Sequence, residues 1–341
     1  MIIFRARNFL GRYLNALGFT SGDTYGEFPS NNLEHWRGAM RHGDGLDFIG
    51  IGDDVASYVD TTAVLENAWN RLRVGGMIFG NNYKSGYKGS AFDETGKLFA
   101  VRDAVDDFCL SNNVFAYHTL QDSVRSWAVF KPTKDNPTVA VVSGHKGGGY
   151  FTEVSANHAE YCRIHGYAYY AFTKDSDFDN SRNPGWSKLK FILNTLNNSN
   201  ADWIFWIDSD AVFMDYTKTL TRFCVDNVDY ISSYWMQNGY VRPDSGAILI
   251  KNCDWCKRFL TVAYKTDYTE KGIQDCTGLF RAFNTTPDVY KRLLFVGNHA
   301  FNTIIHHNTQ PLKTVFVAHA AQIKHGRHSV LKDLLAQVKK G

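Results

Sequence analysis

The strongest constraint on the fold is the run Ala201-Asp-Trp-Ile-Phe-Trp-Ile207, which ends abruptly in Asp208-Ser-Asp210. Five consecutive apolar residues bounded by acids are too few for a helix and fit a strand buried on both faces, as inside a parallel sheet. Burying even one ionised carboxylate without a partner is costly, so two at the end of a core strand call for a cation, a basic side chain or protonation. Open α/β sheets bind ligands at the carboxyl ends of their strands, where a divalent metal bridging to a diphosphate is the natural cation. The D-x-D spacing lets both acids, or one acid and a water, address one ion; the alternative is a structural acidic turn.

A second constraint is the segment Lys131-Pro-Thr-Lys-Asp-Asn-Pro137, which lies between strand-like Ser126–Phe130 and strand-like Thr138–Val142. Two prolines among polar residues mark a linker, dividing the chain into 1–131, a linker 132–136, and 137–341. Up to Lys131 there are 13 basic and 15 acidic residues; beyond it there are 24 and 19, with nine of the twelve histidines. That surplus forms no dense stripe, so it argues against nucleic acid and suits a small anionic ligand. With 44% hydrophobic and 21% charged residues over 341 positions, a disordered or fibrous chain is excluded. No apolar run approaches the ~20 residues that span a bilayer, so a soluble or at most peripheral chain is expected. Met1–Phe19, with Arg5, Arg7 and Arg12, reads as a first helix rather than a leader. Six cysteines without framework spacing point to reduced thiols and a cytoplasmic setting. Cys253-Asp-Trp-Cys256 is a weak zinc or redox signal, because no second pair follows it.

In the first part, Leu46–Ile51, a helical stretch over Thr61–Leu72 and the strand Met77–Gly80 after Gly75-Gly76 read as a β-α-β unit. A helix over Ala100–Cys109 and a strand near Trp127 continue it. Over Leu46–Lys131, "LDFIGIGDD…NAWNRLRVGGMIFGNNY" resembles the second half of a class I methyltransferase that uses S-adenosylmethionine. Those enzymes hold the cofactor on a glycine-rich turn after their first strand, and no strand followed by such a turn is read in the 45 residues before Leu46. The expectation is a truncated, non-catalytic domain that packs or positions, with S-adenosylmethionine unlikely. Asp53, Asp54 and Asn81-Asn82 stand where functional loops would be, or are turn residues.

In the second part, strand Val139–Val142 leads into Ser143-Gly-His-Lys-Gly-Gly-Gly149, which is not a G-x-x-x-x-G-K-S/T phosphate loop, and then a helix over Val154–Arg163. Trp186-Ser-Lys188 opens a helix, and Val315-Phe-Val-Ala-His319 is a strand ending in histidine, followed by Lys324, His325, Arg327 and His328. A histidine beside two carboxylates would favour Mn²⁺ over Mg²⁺. Tyr234, Trp235 and Tyr240, placed on a loop after the acidic strand, could stack on a sugar or pack.

Together "NHAEYCRIHGY", "WSKLKFIL", "ADWIFWIDSDAVFMD", "DSGAILIKNCDW", Phe301-Asn302 and "VFVAHAAQIKHGRH" resemble glycosyltransferase family 34, over about Pro137–Leu335. That resemblance implies a GT-A fold of α/β type with a mostly parallel sheet, a nucleotide-sugar donor, Mn²⁺ (Mg²⁺ possible in its place), and retaining transfer to a glycan acceptor. It would make Asp208, Asp210 and His319 the metal ligands, Lys324 the grip on the diphosphate, and Lys188 a lysine near the donor. Ser143 and Ser209 would face the donor too, and Asp244, Ser245 and Gly246 would line the sugar. Gln274 or Asp275 would steady the transferred sugar. The sequence departs from the family at Gly272-Ile-Gln-Asp-Cys276, at Gln322, where a glycine is usual, and in showing no membrane anchor. Competing readings are a non-catalytic carbohydrate-binding scaffold and an active methyltransferase.

Overall fold

The chain folds as two units, one of residues 1–136 with 222–227 and one of residues 137–221 with 228–341. The structure, a computed structural model, describes residues 25–28, 46–51, 58–81, 83, 101–118, 126–132, 137–147, 149–225, 228–237, 240–266, 274–287, 289, 292–296, 301–305, 315–321, 323 and 325–340. Met1–Phe19, Asp53, Asp54, Asn82, Gln322 and Lys324 therefore lie outside the described residues, as does the side chain of Gln274.

In the first unit, the described elements are β1 (Tyr25–Phe28), β2 (Leu46–Ile51), α1 (Tyr58–Arg71), β3 (Leu72–Gly80), α2 (Val101–Ser111), β4 (Ala116–His118) and β5 (Trp127–Phe130). They form a sheet of order β1-β2-β3-β5-β4. β2 pairs parallel with β1 and with β3, while β5 runs antiparallel to both β3 and β4. Helix α1 buries Val64, Leu65 and Ala68, spaced to fall on one side, against a core that includes Ile49, Ile78 and Val105. The Lys131 ammonium donates to the Trp69 and Leu72 carbonyls at 2.7 and 2.8 Å, neutralising the end of α1. Asn81 accepts from Ser126 Oγ at 2.8 Å and its carbonyl from Trp127 Nε1 at 3.1 Å, so it pins two strand ends together. The sequence division makes no provision for 222–227; Phe223 packs on Phe115, ring centroids 5.0 Å apart.

The second unit contains β6 (Val139–Gly144), α3 (Phe151–His165), β7 (Ala168–Phe172), α4 (Ser187–Asn198), β8 (Trp203–Ile207), β9 (Ala211–Phe213), β10 (Tyr230–Gln237), β11 (Tyr240–Lys251), α5 (Asp254–Lys265), α6 (Gln274–Thr285), β12 (Leu293–Val296), β13 (Thr303–Ile304), β14 (Val317–His319) and α7 (Arg327–Leu335). The main sheet has the order β12-β10-β11-β8-β6-β7, and a smaller one the order β13-β14-β9. The main sheet is mixed: β7, β6 and β8 are parallel, β11 is antiparallel to β8 and β10, and β10 is parallel to β12. Helix α3 stops because Gly166 takes the left-handed φ of 68°, which closes a bond from its N–H to the Cys162 carbonyl and turns the chain into β7.

Every residue of β8 is buried, as its composition requires. Ile204 and Trp206 join the core under α4, α5 and α6, where Phe172 and Phe191 stack with centroids 4.4 Å apart. Phe205 points the other way, toward Phe213 and Phe301. Truncating a buried ring such as Phe191 would cost about 3–5 kcal/mol. Tyr234, Trp235 and Tyr240 lie not on a loop but on β10 and β11, whose antiparallel register pairs Gln237 with Tyr240. The intervening Asn238-Gly239 is the dipeptide that most favours a two-residue hairpin, and it is the signal that separates this arrangement from a loop.

Candidate active site

Asp208 leaves the end of β8 with its backbone still tied to the sheet, its N–H donating to the Gly246 carbonyl at 2.9 Å. A tight turn follows, closed by Ala211 N–H to the Asp208 carbonyl at 3.0 Å, and the chain returns as β9. β14 runs antiparallel to β9 with His319 opposite Ala211, and Ala320 N–H donates to the Asp210 carbonyl at 2.9 Å. That register, more than any local preference, delivers an imidazole to the acidic turn.

His319 Nε2 lies 3.0 Å from Asp210 Oδ1 and 3.6 Å from Asp208 Oδ2. One ligand atom from each of Asp208, Asp210 and His319 falls within 4.8 Å of the others, a spacing that one cation could satisfy. Two carboxylate oxygens and an imidazole nitrogen are a donor set that fits Mn²⁺, and Mg²⁺ less well.

Lys188, near the start of α4, is buried behind the acids with 7% of its side chain exposed. Its ammonium meets Asp208 Oδ1 at 2.8 Å, Asp275 Oδ2 at 2.7 Å and the Ser245 carbonyl at 2.8 Å, and sits 5.6 Å over the Trp206 ring. Trp206 Nε1 donates to the same Asp208 oxygen at 2.7 Å, and Ser245 Oγ donates to Asp275 at 2.6 Å. Arg327, opening α7, reaches Asp210 Oδ2 at 3.1 Å.

The charges follow from this packing. Burial alone would discharge Lys188, but Asp208 and Asp275 outweigh it and hold the ammonium protonated far above neutrality. Burial pushes the Asp208 carboxyl up, against the pull of Lys188 and His319. Burial also works to raise Asp210, yet His319 and Arg327 override it and hold the carboxyl at about 2. Asp275 is lowered despite its burial, by Lys188 and Ser245. Burial disfavours the imidazolium of His319, and the attraction of Asp210 and Asp208 raises its pKa all the same.

A cavity of about 440 Å³ opens beside these groups, its wall including Lys188, Trp206, Asp208, Asp210, Asp275 and Arg327. Ser209 also faces it, with its hydroxyl 3.1 Å from His145 Nδ1, and His145 stacks on Phe151 with centroids 5.2 Å apart. Ser143 is fully buried within β6, while its neighbours Gly144 and His145 face the cavity. Asp244 accepts from the Gly246 N–H at 2.9 Å, shaping the β11 segment that carries Ser245. The structure thus brings together Asp208, Ser209, Asp210, Lys188, Asp244, Ser245, Gly246, Asp275 and His319. Trp206 and His145 were not singled out from sequence, since both serve elements with other evident duties; Arg327 was visible only as one of several basic residues after His319.

Residues 135–244 match the galactosyl transferase GMA12/MNN10 family, in agreement with the resemblance drawn from the motifs. The chain is 30% identical over 115 residues to xyloglucan 6-xylosyltransferase 4 of Arabidopsis thaliana, covering 32% of this chain and 22% of that protein. It is 28% identical over 139 residues to glycosyltransferase 6 of the same plant, covering 37% and 32%. The match thus spans about a third or less of these curated relatives. Among solved structures it is similar to a glycosyltransferase involved in glycosylation of the major capsid of PBCV-1, with 16% identity and a TM-score of 0.49, covering 57% of this chain and 100% of that one. Among the described residues, no helix is long and apolar enough to cross a membrane.

Proposed function

We propose that this chain is a metal-dependent retaining glycosyltransferase of GT-A type, moving a hexosyl or pentosyl unit from a nucleotide sugar to a glycan hydroxyl. The observation that carries this reading is the convergence of Asp208, Asp210 and His319 at the end of a core strand, beside a cavity that also holds Lys188 and Asp275. The match of residues 135–244 supports it.

Asp208, Asp210 and His319 would hold Mn²⁺, or Mg²⁺ in its place. Bound there, the ion would supply positive charge to the leaving diphosphate. Arg327, part exposed at the cavity wall, adds a fixed positive charge on the same side, and Lys324 is assigned the diphosphate by resemblance. Asp275, kept ionised by Lys188 and Ser245, stands where an anion can steady the positive charge developing on the transferred sugar. Gln274 shares that assignment from sequence. In retaining transfer the acceptor hydroxyl enters on the face the diphosphate leaves and passes its proton to a departing phosphate oxygen, so no separate enzymatic base is needed. Lys188 stays charged throughout and orients Asp208 and Asp275.

For the first unit, three parallel strands followed by the antiparallel β5 and then β4, which runs with the first three, support the reading as the second half of a methyltransferase-like domain that packs or positions. No methyl transfer is assigned to it. The functional reading is tested by incubating the chain with Mn²⁺ and a panel of UDP- and GDP-sugars and a set of sugar acceptors. Metal-dependent release of nucleotide from one donor, with an α-linked product by NMR, would support it. Release with a β-linked product would keep transfer and overturn retention. Silence across the panel would favour a carbohydrate-binding scaffold.

A further inference from the structure

Buried polar groups without partners are few in folded proteins, and each asks for an explanation. Two of them flank one spot here. His319 Nδ1 is buried with no hydrogen-bond partner, and Asn302, with no exposure at all, leaves both Nδ2 and Oδ1 unpaired. Between them is Gly246: a β-carbon there would lie 2.5 Å from His319 Nδ1 and 2.6 Å from Asn302 Nδ2. The slot exists because residue 246 has no side chain. The backbone fixes both walls, since Asn302 leads directly into β13, which runs parallel to β14 with Ile304 opposite His319.

An imidazole that gives its Nε2 lone pair to a cation must carry its proton on Nδ1, and a buried Nδ1–H needs an acceptor. His319 turns Nε2 toward Asp210 and Asp208, so its Nδ1 faces the slot. We propose that Asn302 is the positioning residue for His319: its carboxamide oxygen accepts the Nδ1–H, fixing the tautomer and ring plane that present Nε2 to the metal. Oxygen and nitrogen of a carboxamide are interchangeable by a half-turn about its terminal torsion, which would turn Oδ1 into the slot that Nδ2 now lines. The proposal rests on the metal-binding reading of His319. It adds to it a residue outside the cavity wall that acts only through the ligand.

The test uses the full chain with Asn302→Leu, which keeps the bulk and removes the acceptor, and Asn302→Asp, which keeps the acceptor. Mn²⁺ affinity is read by electron paramagnetic resonance titration, and the melting temperature is read without metal. The expected result is a 10- to 100-fold loss of Mn²⁺ affinity in Asn302→Leu, as for other partners of ligating histidines, and near wild-type affinity in Asn302→Asp. The metal-free Asn302→Leu protein should melt lower than wild type and Asn302→Asp should not, because the protonated His319 also carries a buried Nδ1–H that loses its acceptor; Mn²⁺ affinity is therefore read well below the melting temperature of each variant. Should Asn302→Leu fail to fold, ¹⁵N shifts of His319 in the Mg²⁺-loaded wild type and Asn302→Asp decide: a protonated Nδ1 and bare Nε2 support the proposal, and the reverse tautomer overturns it. Mn²⁺ binding lost in Asp210→Asn but unchanged in Asn302→Leu would overturn this proposal and leave the metal reading standing. No Mn²⁺ binding by the wild type would overturn both.

Discussion

His319 Nε2 stands 3.0 Å from Asp210 Oδ1 although 109 residues separate them in the chain. The contact is made by register: β14 lies antiparallel to β9, and its last residue, His319, pairs with Ala211, where the acidic turn ends. Without a metal, the imidazole serves as the counter-ion of two carboxylates.

From this follows a pH dependence. His319 has its pKa raised by Asp210 and Asp208, so the metal-free protein holds its proton above the ordinary histidine value of about 6.5. The stability contributed by that proton is complete below about pH 6.5 and is lost as pH rises through the raised value. A metal ion must displace the proton, so Mn²⁺ affinity should climb with pH across that window and level off above it, with release of one proton. Titrations in buffers of differing ionisation enthalpy measure both. Affinity that is flat or falls with rising pH would remove His319 from the ligand set.

Lys188 is the cation shared by two buried acids, Asp208 and Asp275. Lys188→Met should destabilise the fold by about 3–5 kcal/mol in urea, because it strands two carboxylates rather than because the ion pair is itself strong. Adding Asp275→Asn should recover part of that loss. If Lys188→Met alone were as stable as wild type, the charge balance described for the site would be wrong.

How much of this could be read in the sequence depends on how local each signal is. The strand Trp203–Ile207 and its two terminal acids are contiguous, so apolar run and acidic stop announced both element and chemistry. His319 and Lys188 lie far from them in sequence and were reached through family resemblance, since nothing in their own neighbourhoods says which strand end or helix start they meet. Arg327 and Trp206 depend on which way a helix start and a strand face, which only packing decides. The placement of Tyr234, Trp235 and Tyr240 on strands is legible in Asn238-Gly239, a hairpin dipeptide, although aromatic residues suit a loop that stacks on a sugar as well as a strand that packs. The attachment of 222–227 to the first unit had no sequence mark, being a matter of tertiary contacts such as Phe223 with Phe115.

Cys253 and Cys256 differ sharply although three residues apart. The Cys256 thiol and the first backbone N–H groups of α5 hold half-buried Cys253 down at about 6, whereas burial drives Cys256 well up. Burial likewise lifts Cys162 and Cys276 to about 12. Brief iodoacetamide treatment of the native chain at neutral pH should label Cys253 before these, as peptide mapping by mass spectrometry would read. Equal labelling of Cys253 and Cys276 would contradict the assigned environments.

The most direct test of the central claim is nucleotide release from the preferred UDP- or GDP-sugar with Mn²⁺, compared between wild type and Asp208→Asn/Asp210→Asn. The account predicts metal-dependent release by the wild type and a loss of at least about 100-fold in the variant, with the fold retained by circular dichroism. Undiminished release by a folded variant would contradict it, because Asp208 and Asp210 would then not hold the charge on which the chemistry depends.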